Sequence, residues 1–165
     1  MYVKKDRGQQ KQVEFVSLED LVPQDHILRD IDRAIDFSFI YEEVKGMYAP
    51  EEWGKPGIDP VSLFKIVFIQ YLFGIRSMRQ TIKEIEVNMA YRWFIGYSIG
   101  ERIPHFSTFG KNYVRRFKDT DVFERIFQQI LKEAVDVGFV DARAVFIDGT
   151  HIKANANAQS HPGSC

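Results

Sequence analysis

The chain has 165 residues, a length typical of one domain or of one domain followed by the first part of a second. Hydrophobic residues make up 45% of the chain, with 14 phenylalanines among them, so the composition excludes an intrinsically disordered polypeptide. A formal net charge of −1 does not exclude nucleic acid as a partner, because residues 60–118 hold 10 Lys and Arg against 3 Asp and Glu, whereas both flanking regions are net acidic.

Cysteine usage and hydropathy bear on the cellular compartment. The single cysteine, Cys165, excludes an intramolecular disulfide and a cysteine-based zinc site, which favours the reducing cytoplasm. Residues 1–12 lack the apolar core of a secretory signal, and the longest apolar stretch, 66–75, is too short to span a bilayer. We therefore expect a cytoplasmic protein without a membrane partner.

The N-terminal third predicts a polar lead followed by short helices. Residues 1–14 are polar and charged and predict a flexible segment. Ser17 and Asp25 are residue types that cap helices, and Asp20 completes a capping arrangement with Ser17. The apolar spacing predicts helices over 18–21, 27–36 and 39–46, and the Pro and Gly residues that follow predict an exposed loop over 49–60.

Three further helices are predicted in the basic central region. Asp59 caps and Pro60 opens a helix over 60–74 that is apolar on most sides, so we expect it at the centre of the core. Ser77 caps a second helix, whose exposed positions include Arg79, Lys83 and Glu86, and a third is predicted over 88–94. Tight turns between them give the spacing of a helix-turn-helix unit.

The remaining sequence predicts two more helices and then a strand. After a loop over 96–106, Ser107 can cap a helix over 108–118, and Thr120 can cap a helix over 121–137 that ends at Gly138. After this helix, the helical spacing of apolar residues ends. The short apolar run 144–147, next to a glycine turn, favours a buried strand.

The basic central region supplies the candidate DNA-binding residues. Arg79 and Lys83 share one exposed helical stripe, and we favour phosphate contacts for most of the set because such contacts outnumber base contacts. Ordinary solvated positions are the alternative for each residue. The candidates are Arg76, Arg79, Lys83, Arg92, Lys111, Arg115 and Arg116.

The aromatic residues of the third central helix and the four histidines each allow a structural and a functional interpretation. Tyr91, Trp93 and Phe94 could stack on bases, but aromatic residues at this spacing more often belong to a core. The four histidines show no paired spacing typical of metal ligands on one helix face, which favours structural or solvent roles.

Asp148 is the candidate catalytic and metal-binding residue. It follows the apolar run directly, and a carboxylate at the end of a buried strand is a suitable ligand for a hard cation such as Mg²⁺. The Asp-Gly pair is also common in turns after strands, so a turn residue is the alternative. One Asp cannot by itself build the two-metal site of in-line phosphoryl transfer.

Four segments carry a resemblance to a known family. Residues 146–157 (FIDGTHIKANAN) resemble the strand that carries the first Asp of insertion-sequence transposases of the DDE type. Residues 77–85, 90–94 and 104–109 (SMRQTIKEI, AYRWF and PHFSTF) resemble the helical N-terminal region of the same enzymes, the transposase InsH-type N-terminal domain. The resemblance covers roughly residues 15–157.

This resemblance implies a mainly α fold, a helical bundle with a helix-turn-helix-like unit followed by a single strand of an incomplete RNase H-like α/β domain. The implied organisation is a flexible lead (1–14), a helical DNA-binding N-terminal domain (15–138) and a truncated start of the catalytic domain (139–165). Asp148 matches the first catalytic Asp, and the complete enzyme is expected to use Mg²⁺ or Mn²⁺. No segment of the chain matches the second Asp or the Glu.

We therefore expect the chain to bind the double-stranded DNA of transposon ends without cutting it and without binding a metal ion by itself. A homodimer, or a mixed assembly with full-length transposase, is the protein partner that the resemblance allows. Two alternatives stay open: a regulatory fragment that competes with full-length transposase, and a structural helical domain that does not bind DNA.

Overall fold

The computed structural model describes residues 13–48 and 57–139, and within them the chain is helical and contains no strand. A 3₁₀ turn, Lys45–Met47, follows α3, and a π-helical turn, Tyr113–Phe117, follows α7. The prediction of a mainly helical fold is confirmed, whereas the predicted strand 144–147 lies outside the described residues. The helices are α1 (Leu18–Leu21), α2 (Ile27–Ala34), α3 (Phe39–Val44), α4 (Pro60–Leu72), α5 (Met78–Val87), α6 (Met89–Ile95), α7 (Phe106–Asn112) and α8 (Val122–Asp136).

Several helix starts agree with the predicted caps. The Asp59 carboxylate accepts a hydrogen bond of 2.7 Å from the Ser62 amide, and Pro60 occupies the first turn of α4. The Ser17 hydroxyl accepts from the amide of Asp20, whose carboxylate accepts in return from the Ser17 amide, which forms a capping box at α1. These side chains satisfy amides that have no partner inside a helix.

Three predicted caps are wrong by one or two residues. His26 rather than Asp25 caps α2, where its Nδ1 accepts from the Leu28 amide at 3.2 Å. His105 caps α7 in the same way, so this helix starts at Phe106 instead of after Ser107. The Thr120 hydroxyl donates to the Phe117 carbonyl at 2.8 Å and does not cap α8.

Helix α4 lies at the centre of the core, as its sequence predicts. It contacts α3, α5 and α6, and Ile66 and Ile69 are fully buried on it. On the side towards α8, the ring of Phe64 lies 5.7 Å from that of Phe117 and 4.7 Å from that of Phe123. These aromatic contacts connect the central helix to the C-terminal third of the described chain.

Helices α4, α5 and α6 contact one another pairwise, as the three helices of a helix-turn-helix unit do. The helix-turn-helix interpretation itself stays a prediction. In the part of the chain that the structure describes, no helix combines the length and apolar character needed to cross a membrane.

Candidate nucleic-acid interface

Five of the seven predicted DNA-binding residues are exposed in a region formed by two neighbouring helices. Arg76 lies in the turn before α5, and Arg79 and Lys83 lie one helical turn apart on α5. Lys111 lies on α7, and Arg115 lies in the π-helical turn that continues it. Because α5 and α7 contact each other, the structure brings these cations to one region of the surface.

Arg79 makes a direct connection between the two helices. Its guanidinium carbon lies 4.4 Å from the centroid of the Phe106 ring, at the start of α7. Stacking on an aromatic face orients a guanidinium without using its N–H groups, which point outwards in the guanidinium plane. The arrangement thus holds a charged, planar donor in a fixed orientation at an exposed position.

Ion pairing separates these cations from the other basic residues. The salt bridges among the described residues use cations outside the candidate set, namely Arg29, Arg33, Lys45, Lys65 and Arg125. No carboxylate within residues 13–48 and 57–139 forms a salt bridge with Arg79, Lys83 or Arg115. The positive charge on this surface is therefore not neutralised by a described ion pair.

Two exposed cations of the same region are absent from the predicted set. Arg102 lies in the loop before α7, and Lys118 follows the π-helical turn. The uneven charge distribution includes both residues, but Arg102 lies outside the predicted helices and Lys118 is the last residue of the helix predicted over 108–118. The charge count of residues 60–118 is the sequence signal that could have found them.

Arg116 has a mixed environment. It is half-buried, its guanidinium carbon lies 4.4 Å from the centroid of the Tyr48 ring, and it donates a hydrogen bond to the side chain of Asn112. Burial raises the pKa of Tyr48, and the positive charge of Arg116 partly opposes that increase. The stacking of Arg116 on the Tyr48 ring packs the π-helical turn against the end of the 3₁₀ turn.

Arg92, one of the predicted DNA-binding residues, lies inside the protein and not on its surface. Its side chain is only 7% exposed. Its Nε and Nη2 donate to the Glu86 carbonyl at 3.3 and 3.2 Å, and its Nη1 donates to the carbonyls of Ser98 and Glu101 at 3.0 and 2.9 Å. A guanidinium used in this way holds the end of α5 and the loop after α6 together, and we leave it out of the DNA-contacting set.

The aromatic residues next to Arg92 have neighbours within the protein. Phe94 is buried, which confirms the core interpretation for it, and the Tyr91 ring lies 5.0 Å from that of Phe73. Trp93 donates from its indole N–H to the Glu19 carboxylate, and the guanidinium of Arg29 lies over its ring. These contacts give the side chains structural roles.

The candidate catalytic residue Asp148 lies outside the described residues. Within them, no group of three or more His, Cys, Asp or Glu side chains is close enough together to hold a metal ion. His26 and His105 act as helix caps, and His151 and His161 also lie outside the described part.

Comparison with known proteins identifies a family. The family model described as a transposase domain, DUF772, matches residues 16–115, which is more than half of the chain and includes helices α1 to α7. Neither the curated proteins nor the solved structures gave a match. On the strength of the family match, the chain belongs to the transposase domain family DUF772.

Proposed function

We propose that residues 15–138 form the DNA-binding N-terminal domain of a transposase, and that the exposed cations of α5, α7 and the π-helical turn contact DNA. The observation that carries this proposal is the concentration of exposed cations without a described carboxylate partner inside the family match. Each phosphate neutralised by such a cation releases counterions, which supplies affinity independent of base sequence. The partner of the proposed interface is the double-stranded DNA of transposon ends.

The arrangement of the cations supports contacts to the phosphate backbone. Arg79 and Lys83 are separated by about 6 Å of helix axis, so both can face one strand of a duplex from the same stripe of α5. The stacked guanidinium of Arg79 offers two parallel N–H groups to one phosphate, whereas Lys83 contributes a point charge. Lys111 and Arg115 extend the basic surface to the next helix.

The finer family assignment is also a proposal. The resemblance around Asp148 supports a DDE transposase of InsH type with an RNase H-like catalytic domain, in which this residue would be the first acidic ligand. An aspartate oxygen fits Mg²⁺ or Mn²⁺, which would stabilise the charge that develops on the attacking and leaving oxygens of a phosphodiester. A single carboxylate does not complete such a site, so we assign no strand cleavage to the residues of this chain.

Salt-dependent binding to a fluorescently labelled duplex tests the proposal. The logarithm of the affinity should fall linearly with the logarithm of the salt concentration, and Arg79→Ala, Lys83→Ala and Arg115→Ala should each reduce the slope by about one unit. Arg33→Ala is the matched control, because Arg33 is exposed on α2 and paired with Asp30. It should leave the slope unchanged.

Two results would overturn the proposal. Absence of salt-dependent binding would favour a structural helical domain. Equal losses in the Arg33 variant and in the Arg79 variant would show that the overall charge of the protein matters and that the α5 and α7 surface does not.

A further inference from the structure

An apolar groove lies on the protein surface between α4 and α8, within the part of the chain that the structure describes. Its volume is about 540 Å³, and only one charged residue, Glu124, lies along it. The walls are formed by Val67, Phe68 and Tyr71 of α4 and by Phe123, Phe127 and Ile130 of α8.

The side chains along this groove are large, apolar and accessible. Tyr71 is 80% exposed although the apolar pattern of α4 predicts it on a packed face, and Phe127 is 62% exposed. Leu131 continues the same side of α8 and is 44% exposed. Contiguous apolar surface of this kind is typical of an interaction site, because each Å² removed from water contributes roughly 25 cal/mol.

The charged residues beside the groove indicate which partner fits it. Glu124, Gln128 and Lys132 follow one another at intervals of four residues and form an exposed stripe along α8. If a second α8 runs antiparallel with Gln128 opposite Gln128, Glu124 of each copy faces Lys132 of the other. The stripe is therefore complementary to itself under a two-fold rotation, which is the condition for a symmetric dimer interface.

We propose that this groove is the contact surface of a symmetric homodimer of this chain, in which the two α8 helices pack antiparallel. Phe127 and Leu131 of each copy lie against the apolar wall of the other, and the acidic and basic ends of the stripe pair at the rim. The inference is independent of the proposed DNA binding, because it uses neither the cations of α5 nor those of α7.

The oligomeric state of the full chain, measured by sedimentation equilibrium without DNA at low salt, tests the dimer. The chain has a mass of 19.2 kDa, and we expect a species of twice that mass. Phe127→Ser should raise the dimer dissociation constant at least tenfold. Val87→Ser is the matched control, because Val87 is 73% exposed at the end of α5, away from the groove, and its variant should behave as the native chain does.

Exchange of the two charges tests the antiparallel arrangement. Glu124→Lys or Lys132→Glu alone turns both rim pairs from attractive to repulsive and should weaken the dimer on the order of tenfold. The double variant exchanges the charges, restores both pairs and should return the dissociation constant to within about threefold of the native value. Circular dichroism of each variant verifies that it is folded.

Three outcomes would overturn the inference. A native chain that stays monomeric at the highest concentration measured would exclude a second copy as the occupant of the groove. A dimer unaffected by Phe127→Ser would place the contact elsewhere. A double charge variant as weak as the single variants would exclude the antiparallel register.

Discussion

Replacing Arg92 by methionine separates an internal role of this residue from a DNA-binding role. The methionine side chain keeps most of the apolar bulk of arginine and removes every N–H donor. The carbonyls of Glu86, Ser98 and Glu101 then lose their side-chain donor, which in the native protein contacts them at 2.9 to 3.3 Å.

The expected loss of stability follows from these three acceptors. A buried acceptor left without a partner costs about 1–3 kcal/mol. Glu86, Ser98 and Glu101 are all exposed residues, so we use the lower limit for each acceptor. The free energy of unfolding should therefore fall by about 3 kcal/mol, and the melting temperature by roughly 6–12 °C.

Urea unfolding followed by circular dichroism measures the loss, and Arg79→Met is the matched control. Arg79 is exposed and stacks on Phe106, so its variant should lose less than about 1 kcal/mol of unfolding free energy but should lose DNA affinity. Folded Arg92→Met should keep the native salt slope of DNA binding. A fully stable Arg92→Met protein with a reduced slope would refute the internal role and restore Arg92 to the DNA-contacting set.

Two further substitutions test local features of the fold. A hydrogen bond from Arg29 and, as the second largest cause, one from Trp93 hold the pKa of the Glu19 carboxylate below its usual value of 4.5. The ionised carboxylate therefore adds to the free energy of unfolding above pH 4.5, and this contribution is lost as the pH falls through the lowered pKa. Glu19→Gln should lower the urea midpoint at pH 7, and the difference from the native chain should shrink as the pH falls below 4.5 and through the lowered pKa; a difference that stays constant down to the acid unfolding of the native chain would contradict this linkage. Gly96 ends α6 with φ +81° and has open space around its Cβ position, so Gly96→Ala should cost about 1 kcal/mol of unfolding free energy from backbone strain alone. Gly110→Ala, inside α7 with equally open space, should be neutral or stabilising, and equal losses at both positions would exclude strain as the cause.

Local sequence signals predict most helices because they act within a few residues. Asp59 and Pro60 determine the start of α4 by chemistry that involves only the next three positions, and the apolar pattern of that helix is sufficient to place it in the core. The capping residues of α2 and α7 were predicted less accurately, because a histidine ring nitrogen can act as the capping acceptor in place of the usual Ser, Thr, Asp or Asn. The predicted start of α2 at residue 27 is nevertheless correct, whereas α7 begins two residues before its predicted start.

The candidate site could be predicted only in part, because charge patterns do not distinguish an outward from an inward cation. Arg79 and Arg92 both belong to the basic central region, and either could contact a phosphate on sequence grounds. Their different positions depend on the loop after α6, whose carbonyls supply acceptors to Arg92. A loop conformation of this kind depends on tertiary packing, which no local pattern in the sequence encodes.

The family match covers the proposed DNA-binding surface but only part of the proposed dimer surface. The match ends at residue 115, so it includes the cations of α5 and α7 and the α4 wall of the groove, but it does not include α8. The cations of the proposed DNA contact thus lie within the matched residues, whereas the α8 side of the proposed dimer contact lies outside them. Variants of α8 that abolish the dimer should for this reason keep the salt slope of a single duplex, and variants of α5 should keep the dimer.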